Sequence, residues 1–299
     1  MQPSTTAPPG FLVRVRMTLD MVKFEHSVFA LPFALTGALL AWRESGAQTA
    51  GLGVKLFWIV VAMVGARTSA MSFNRILDAE IDSRNPRTRL RHIPAGLLTK
   101  SFAWSFTLAG ALLLVAAAAL LNPLCLKLSP LALAVLWAYS FAKRYTALAH
   151  LMLGFALGIA PAAAWIAMTG TLDPRILWLT AAVTFWTAGF DIIYACQDYD
   201  FDRAEGLFSI PARIGIGRAL LVSRILHAAM LGCLIALAVA FHATSAGMIA
   251  AGVVALLLAY EHSLVKPHDL SRVNAAFFTV NGWVGMLFFA LWSVQIFFL

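Results

Sequence analysis

Nine long apolar runs, separated by short connections that carry most of the charge, constrain this chain more than any other feature. They extend from Ser27 to Trp42, Leu56 to Phe73, Phe102 to Leu121, Leu124 to Ala142, Ala147 to Met168, Ile176 to Ala195, Leu220 to Phe241, Ala246 to Tyr260 and Ala275 to Leu299. About 20 helical residues cross a hydrocarbon core. In hydrocarbon only helices or closed barrels satisfy every backbone polar group, and long runs without two-residue alternation read as helices. The fold expected is therefore all-α: a polytopic membrane protein of nine transmembrane helices bundled around a central polar cavity that opens to the cytoplasm. Residues 27–299 form the membrane domain, and residues 1–26 a cytoplasmic tail and interfacial segment. The fourth run, crowded by Pro123 and Pro130, and the short eighth run are the weakest spans.

Composition narrows the function. With 61% hydrophobic and 12% charged residues, against about a quarter charged in soluble domains, the chain is neither a soluble enzyme, a disordered segment nor a DNA-binding domain. Its formal charge of +8 does not imply a nucleic-acid partner, because the basic residues lie between apolar runs. Seventeen of the 22 Lys and Arg fall in the N-terminal tail and around the connections after even-numbered runs; Arg43, Lys55, Lys127 and Arg175 occupy the others, and Arg67 lies inside the second run. Positive residues mark the cytoplasmic side. An integral protein of a bacterial inner membrane, N-terminus inside, is the expectation. Cys125, Cys196 and Cys233 have neither disulfide nor zinc spacing, and no cleaved signal peptide is expected.

The acids are more concentrated still. Eight of 14 Asp and Glu lie in two segments, 78–82 and 191–205, after the second and sixth runs. If the second helix continues past the membrane, Asn74, Asp78 and Asp82 share a face at i, i+4 and i+8; Asp191, Tyr194, Asp198 and Asp202 form a second stripe. Like charges at this spacing repel, so such stripes need a cation or abundant water. Two facing stripes of hard oxygen ligands suit Mg²⁺ and a diphosphate, whose repulsion by bare carboxylates the metal would reverse. The plain alternative is a pair of solvated acidic helix ends.

Arg67, Arg75, Arg84, Arg87, Arg89, Arg91, Lys143, Arg144, Arg203 and Arg213 lie among these segments and offer phosphate donors. Inside-positive topology and anionic lipid explain most of them. Arg67 is the exception, since a charge inside a span points to a polar role; Lys143 and Arg144 rank next. The 21 Phe, nine Trp and ten Met suit an isoprenoid groove or a carbocation, or ordinary lipid contact.

These segments resemble the UbiA-type family of intramembrane aromatic prenyltransferases across essentially the whole chain. Its first motif, N-D-x-x-D-x-x-x-D, is matched by Asn74, Asp78 and Asp82, followed by Asn85 to Thr88 and His92 to Gly96. Its second, D-x-x-Y-A-x-x-D-x-x-x-D, is matched by Asp191, Tyr194, Ala195, Asp198 and Asp202. Tyr139 to Tyr145, with Lys143 and Arg144, is similar to the family's Y-x-F-x-K-R-Y element. The resemblance implies two Mg²⁺ ions held by Asp78, Asp82, Asp198 and Asp202, with help from Asn74, around the diphosphate of a polyprenyl donor. Its allylic cation then attacks an aromatic acid such as 4-hydroxybenzoate beside the hydroxyl. Arg67 and Arg144 would orient the acceptor carboxylate or diphosphate, Asp191 and Tyr194 the acceptor or cation, and Tyr139, Lys143, Arg75 and Arg213 the substrates.

Arg75 departs from the usual aspartate after Asn74, as does Phe208 from the usual lysine before Ser209, and Lys23 to His26 from the usual basic-x-Pro-x-Gly. Glu25 and His26 offer groups for a different acceptor. These changes resemble a subgroup tied to menaquinone, so a menaquinone-pathway aromatic acid is the alternative acceptor. A transporter would place its charges near the bilayer midplane, not at one face, and the D-x-x-D-G-x-x-A-R pattern of phosphoalcohol transferases is absent.

Overall fold

The computed structural model describes residues 10–22, 29–47 and 51–298. Among them the regular structure is helical, apart from an isolated bridge between Lys266 and Asp269. In order come α1 (Phe11–Val22), α2 (Leu31–Glu44), α3 (Leu52–Arg84), α4 (Lys100–Leu121), α5 (Pro123–Ala142) and α6 (Ala149–Thr169). They are followed by α7 (Leu177–Ala195), α8 (Tyr199–Ala204), α9 (Ile210–Ile214), α10 (Ile216–Ala240), α11 (Thr244–Leu264) and α12 (Asn281–Phe298). Eight helices among the described residues are long and apolar enough to cross a membrane: α3 to α7 and α10 to α12. The ninth expected span is α2, whose 14 residues rise only about 21 Å at 1.5 Å each; residues 27 and 28 of that run lie outside the described residues.

Proline does not break the fourth run. Pro123 occupies the first turn of α5, where no N–H is needed. The Asn122 side-chain oxygen accepts from the Cys125 N–H at 2.9 Å, capping the helix, and Pro130 is carried inside it.

Large apolar side chains point outward as well as inward. Leu112, Leu120, Ile225, Val239 and Leu256 are all more than half exposed, which is the surface of a protein solvated by lipid. With apolar solvent outside, close backbone approach rather than hydrophobic contrast joins the helices. A Cβ on Gly65 of α3 would lie 2.8 Å from the Gly110 carbonyl oxygen of α4, and one on Gly110 would lie 2.7 Å from that of Gly65. Gly154 does the same for α6 on α7, where a Cβ would meet the Thr184 carbonyl oxygen at 2.2 Å. The main core joins Phe33, Trp186, Phe288 and Trp292 from α2, α7 and α12.

A polar network runs through this core. The Trp186 indole N–H donates to Asn281 Oδ1 at 2.7 Å, and Asn281 Nδ2 donates to Glu261 Oε1 at 2.8 Å. Glu261 is fully buried, 3.7 Å from His227, whose Nδ1 lies 3.0 Å from His262 Nε2. The same Asn281 amide donates to the carbonyls of Ala276 and Phe277 at 3.1 and 3.2 Å. Those residues belong to a π-helical turn, Ala275–Val280, a geometry that widens the ladder and leaves carbonyls for side chains to satisfy.

Candidate active site

α3 runs unbroken to Arg84, so Asp78 and Asp82 share a face at its end. Their side chains are 4% and 6% exposed, and burial of that depth requires pairing. Asp78 Oδ2 accepts from Lys143 Nζ at 2.6 Å, while its Oδ1 has no hydrogen-bond partner and lies 4.0 Å from Arg144. Arg144 itself donates to the Leu77 carbonyl at 2.6 Å. Both oxygens of Asp82 accept from Arg91 Nη1 at 2.8 Å, with Arg75 4.0 Å away.

The second acidic segment is not one continuous stripe. α7 ends at Ala195, a 3₁₀ turn covers Cys196–Asp198, and α8 begins at Tyr199. A 3₁₀ turn advances about 120° per residue instead of 100°, which carries Asp198 off the line of Asp191 and Tyr194 and toward the loop after α3. There Arg87 grips it: Nε donates to Oδ1 at 2.9 Å and Nη2 donates to Oδ2, while Asn85 Nδ2 donates to Oδ1 at 2.9 Å. Arg87 Nη1 also donates to the Tyr194 hydroxyl at 3.0 Å, and the guanidinium lies 5.1 Å from the centre of the Tyr194 ring. Burial alone would lower the pKa of Arg87; its hydrogen bonds to Asp198 and that charge outweigh burial and raise it. Asp202 lies within electrostatic range of Asp198 and Lys143.

The two segments therefore converge where Asn85 and Arg87, which follow the first, hold Asp198 of the second. Arg84 reinforces the junction by pairing with Glu205 at 2.9 Å. Tyr139 lies within electrostatic range of Arg67 and Arg75. Asn74 is half-buried beside Asp78 and makes no hydrogen bond among the described residues. Arg213 is exposed and stacked 4.1 Å from the Phe208 ring, apart from the carboxylates. Glu25 and His26 lie outside the described residues.

An aromatic wall stands beside Asp198. The Tyr194 and Phe277 ring centres are 4.2 Å apart, Phe277 and Phe190 5.2 Å, and Phe190 and Trp186 5.0 Å. An open recess of about 510 Å³, lined by Glu44, Trp165, Asp173 and Arg175, lies at the other end of α6 and α7, away from these groups. Sequence spacing did not single out Asn85 as a partner of Asp198, nor His150, whose Nδ1 lies 2.7 Å from Asp191 Oδ2. The position of Asn85 just past the acidic stripe was a signal for the first. His150, in an apolar run 41 residues from its partner, gave none.

Among the described residues no three His, Cys, Asp or Glu converge tightly enough to hold a metal alone. Mg²⁺ does not need such a cage: it takes one or two carboxylates and completes its shell with phosphate oxygens and water. The oxygen-only donors on two facing segments, and the buried, unpartnered Oδ1 of Asp78, fit that ion.

Fold and site together define a prenyl-transferring enzyme embedded in the lipid bilayer. The chain belongs to the UbiA prenyltransferase family, whose model matches residues 30–294. A 4-hydroxybenzoate octaprenyltransferase of Vibrio atlanticus is 30% identical over 239 residues, covering 78% of this chain and 83% of the relative. That of Vibrio campbellii is 29% identical over 277 residues, 91% of this chain and 96% of its own length. Among solved structures, the apo form of a UbiA homolog from Aeropyrum pernix K1 is similar at 36% identity and a TM-score of 0.81, covering 91% of this chain and 98% of that one. A UbiA homolog from Archaeoglobus fulgidus bound to GPP and Mg²⁺ shares the fold at 18% identity and a TM-score of 0.65, covering 94% and 99%.

Proposed function

We propose that this enzyme transfers a polyprenyl group from a polyprenyl diphosphate to an aromatic acid, with 4-hydroxybenzoate as the acceptor, in a Mg²⁺-dependent reaction. The observation that supports the reading is the clasp of Asp198 by Arg87 and Asn85 from the end of the first acidic segment, beside Asp78 and Asp82 held by Lys143 and Arg91. A site of this kind exchanges its internal cations for a metal-bound diphosphate. The names of the curated relatives and the Mg²⁺ and GPP of the Archaeoglobus homolog support it.

Asp78, Asp82, Asp198 and Asp202, with the amide oxygen of Asn74 beside them, would hold Mg²⁺, which when bound would supply charge neutralisation for the diphosphate leaving group. Lys143, Arg75, Arg87 and Arg91, released from their aspartates, donate to the remaining phosphate oxygens. Arg144 and Arg67, with Tyr139 next to Arg67, orient the acceptor carboxylate. When the bond between the allylic carbon and its diphosphate oxygen breaks, the electron pair leaves with the oxygen, and the faces of Tyr194 and Phe277 stabilise the cation. The acceptor ring carbon beside the hydroxyl forms the new C–C bond. Asp191, which has no Lys or Arg partner among the described residues, takes the proton from that carbon, and the C–H electrons restore the aromatic system.

The carboxylate end and the N-terminus face the cytoplasm, a reading that the distribution of Lys and Arg supports, and the membrane is a bacterial inner membrane. Residues 27–299 are the catalytic domain. α1 is an interfacial helix whose Phe11, Leu12 and Leu19, 63%, 80% and 51% exposed, enter the lipid headgroup region.

The test is turnover of labelled farnesyl diphosphate by the purified chain with Mg²⁺ and 4-hydroxybenzoate, with hydroxynaphthoate acceptors in parallel. Prenylated hydroxybenzoate that vanishes with chelator and in Asp198→Asn is expected. Activity that survives both changes overturns the metal role, and turnover of the naphthoates alone overturns the acceptor.

A further inference from the structure

His150 is 4% exposed at the start of α6 and makes two polar contacts. Its Nε2 receives the backbone N–H of Ile210 at 3.2 Å, and its Nδ1 lies 2.7 Å from Asp191 Oδ2. A backbone N–H is only a donor, so Nε2 must present its lone pair, and the ring proton therefore sits on Nδ1 and is donated to Asp191. The tautomer is dictated by the chain segment that follows the second acidic motif.

That segment is latched to the α5–α6 connection at a second point, where the Phe208 N–H donates to the Lys143 carbonyl at 2.8 Å. Lys143 in turn holds Asp78. One imidazole thus ties α6, α7 and the start of α9 together. Asp191 Oδ2 is occupied by this bond, whereas Oδ1 has no protein donor among the described residues and the side chain keeps 24% exposure. The carboxylate is fixed in rotation, with one oxygen spoken for and the other left to a ligand.

We propose that His150 is a positioning residue for the transfer step: in its Nδ1–H form it orients Asp191 so that Oδ1 meets the acceptor ring. The inference rests on the proton-accepting role given above to Asp191. In the step, the C–H bond of the alkylated ring carbon breaks, its electrons return to the ring, and the proton passes to Oδ1, while the His150 proton stays on Nδ1. Orientation of this kind acts on the chemical step, since displacement of a catalytic group by about 1 Å can cost about 100-fold in rate.

The experiment compares three variants of the full chain with wild type, using geranyl diphosphate, Mg²⁺ and 4-hydroxybenzoate. His150→Gln can accept from Ile210 through its carbonyl and donate to Asp191 through its amide, and should keep kcat within about threefold. His150→Met fills the volume without either bond, and should lose kcat by about 100-fold with unchanged equilibrium binding of geranyl diphosphate. His150→Leu likewise has neither donor nor acceptor; it should behave like the Met variant and serves in its place if that protein does not fold. Asp191→Asn with and without His150→Met closes a cycle, in which the second change should add nothing to the first. Full rate in the Met or Leu variants, loss of donor binding in step with rate, or simple additivity with Asp191→Asn each overturns the inference. Absence of wild-type turnover with any aromatic acid would instead overturn the proposed function, which keeps the two failures apart.

Discussion

Arg87 and Asp198 face each other in a two-pronged pair, Nε to Oδ1 and Nη2 to Oδ2, and the same guanidinium reaches the Tyr194 hydroxyl. The pair fastens the loop after α3 to the turn after α7, so it is both the seam of the site and a donor that can turn to phosphate. Arg87→Ala should raise the KM for the prenyl diphosphate roughly tenfold or more, the value of one charge-assisted hydrogen bond of about 1.5–3 kcal/mol. Arg87→Lys, lacking the planar fork, should recover only part of it. Steady-state kinetics with varied donor check this.

Metal removal should be reversible. Chelation abolishes turnover and added Mg²⁺ restores it in wild type, whereas Asp78→Asn should lose at least about 100-fold in kcat/KM and respond only weakly to excess Mg²⁺. Titration of activity against Mg²⁺ separates the two proteins.

Gly110→Leu should damage the fold and not the chemistry alone. Its Cβ would fall 2.6 Å from the Ser69 nitrogen and 2.7 Å from the Gly65 carbonyl oxygen, backbone atoms that cannot swing aside. A loss of about 1–3 kcal/mol or more should appear as earlier thermal unfolding in detergent.

Asn281→Ala strips partners from the Trp186 indole, from Glu261 and from two carbonyls of the π turn. Each buried group left unsatisfied costs about 1–3 kcal/mol, so this variant should unfold earlier than Glu261→Gln, which keeps an oxygen for Asn281. Thermal scans of both in the same detergent give the order.

Membrane sidedness is open to labelling. In a background without Cys125, Cys196 and Cys233, Ser83→Cys in the exposed last turn of α3 should react with an impermeant maleimide only after cells are opened. Ser45→Cys after α2 should react in intact cells. The reverse pattern would invert the topology.

The apolar runs made most of the fold legible, because hydrocarbon demands long helices and leaves little freedom in how they appear. The first run begins four residues before α2, since an apolar run reports what tolerates lipid and not where a helix begins. The aspartates were legible because i, i+4 spacing on a helix is a local property. The 3₁₀ turn at Cys196–Asp198 and the grip of Asn85 and Arg87 on Asp198 were not, nor was the pairing of His150 with Asp191. Those depend on which helix ends meet, and Gly65, Gly110 and Gly154 decide that through contacts no periodicity records.

The buried aspartates at the end of α3 enter the reaction already balanced by Lys143 and Arg91. On the proposed reaction, loading a magnesium salt of a diphosphate would be a change of dancing partners, metal onto carboxylate and guanidinium onto phosphate, with the sum of charges in the low-dielectric interior hardly moving. Such an enzyme would let its inorganic product go by taking its own cations back.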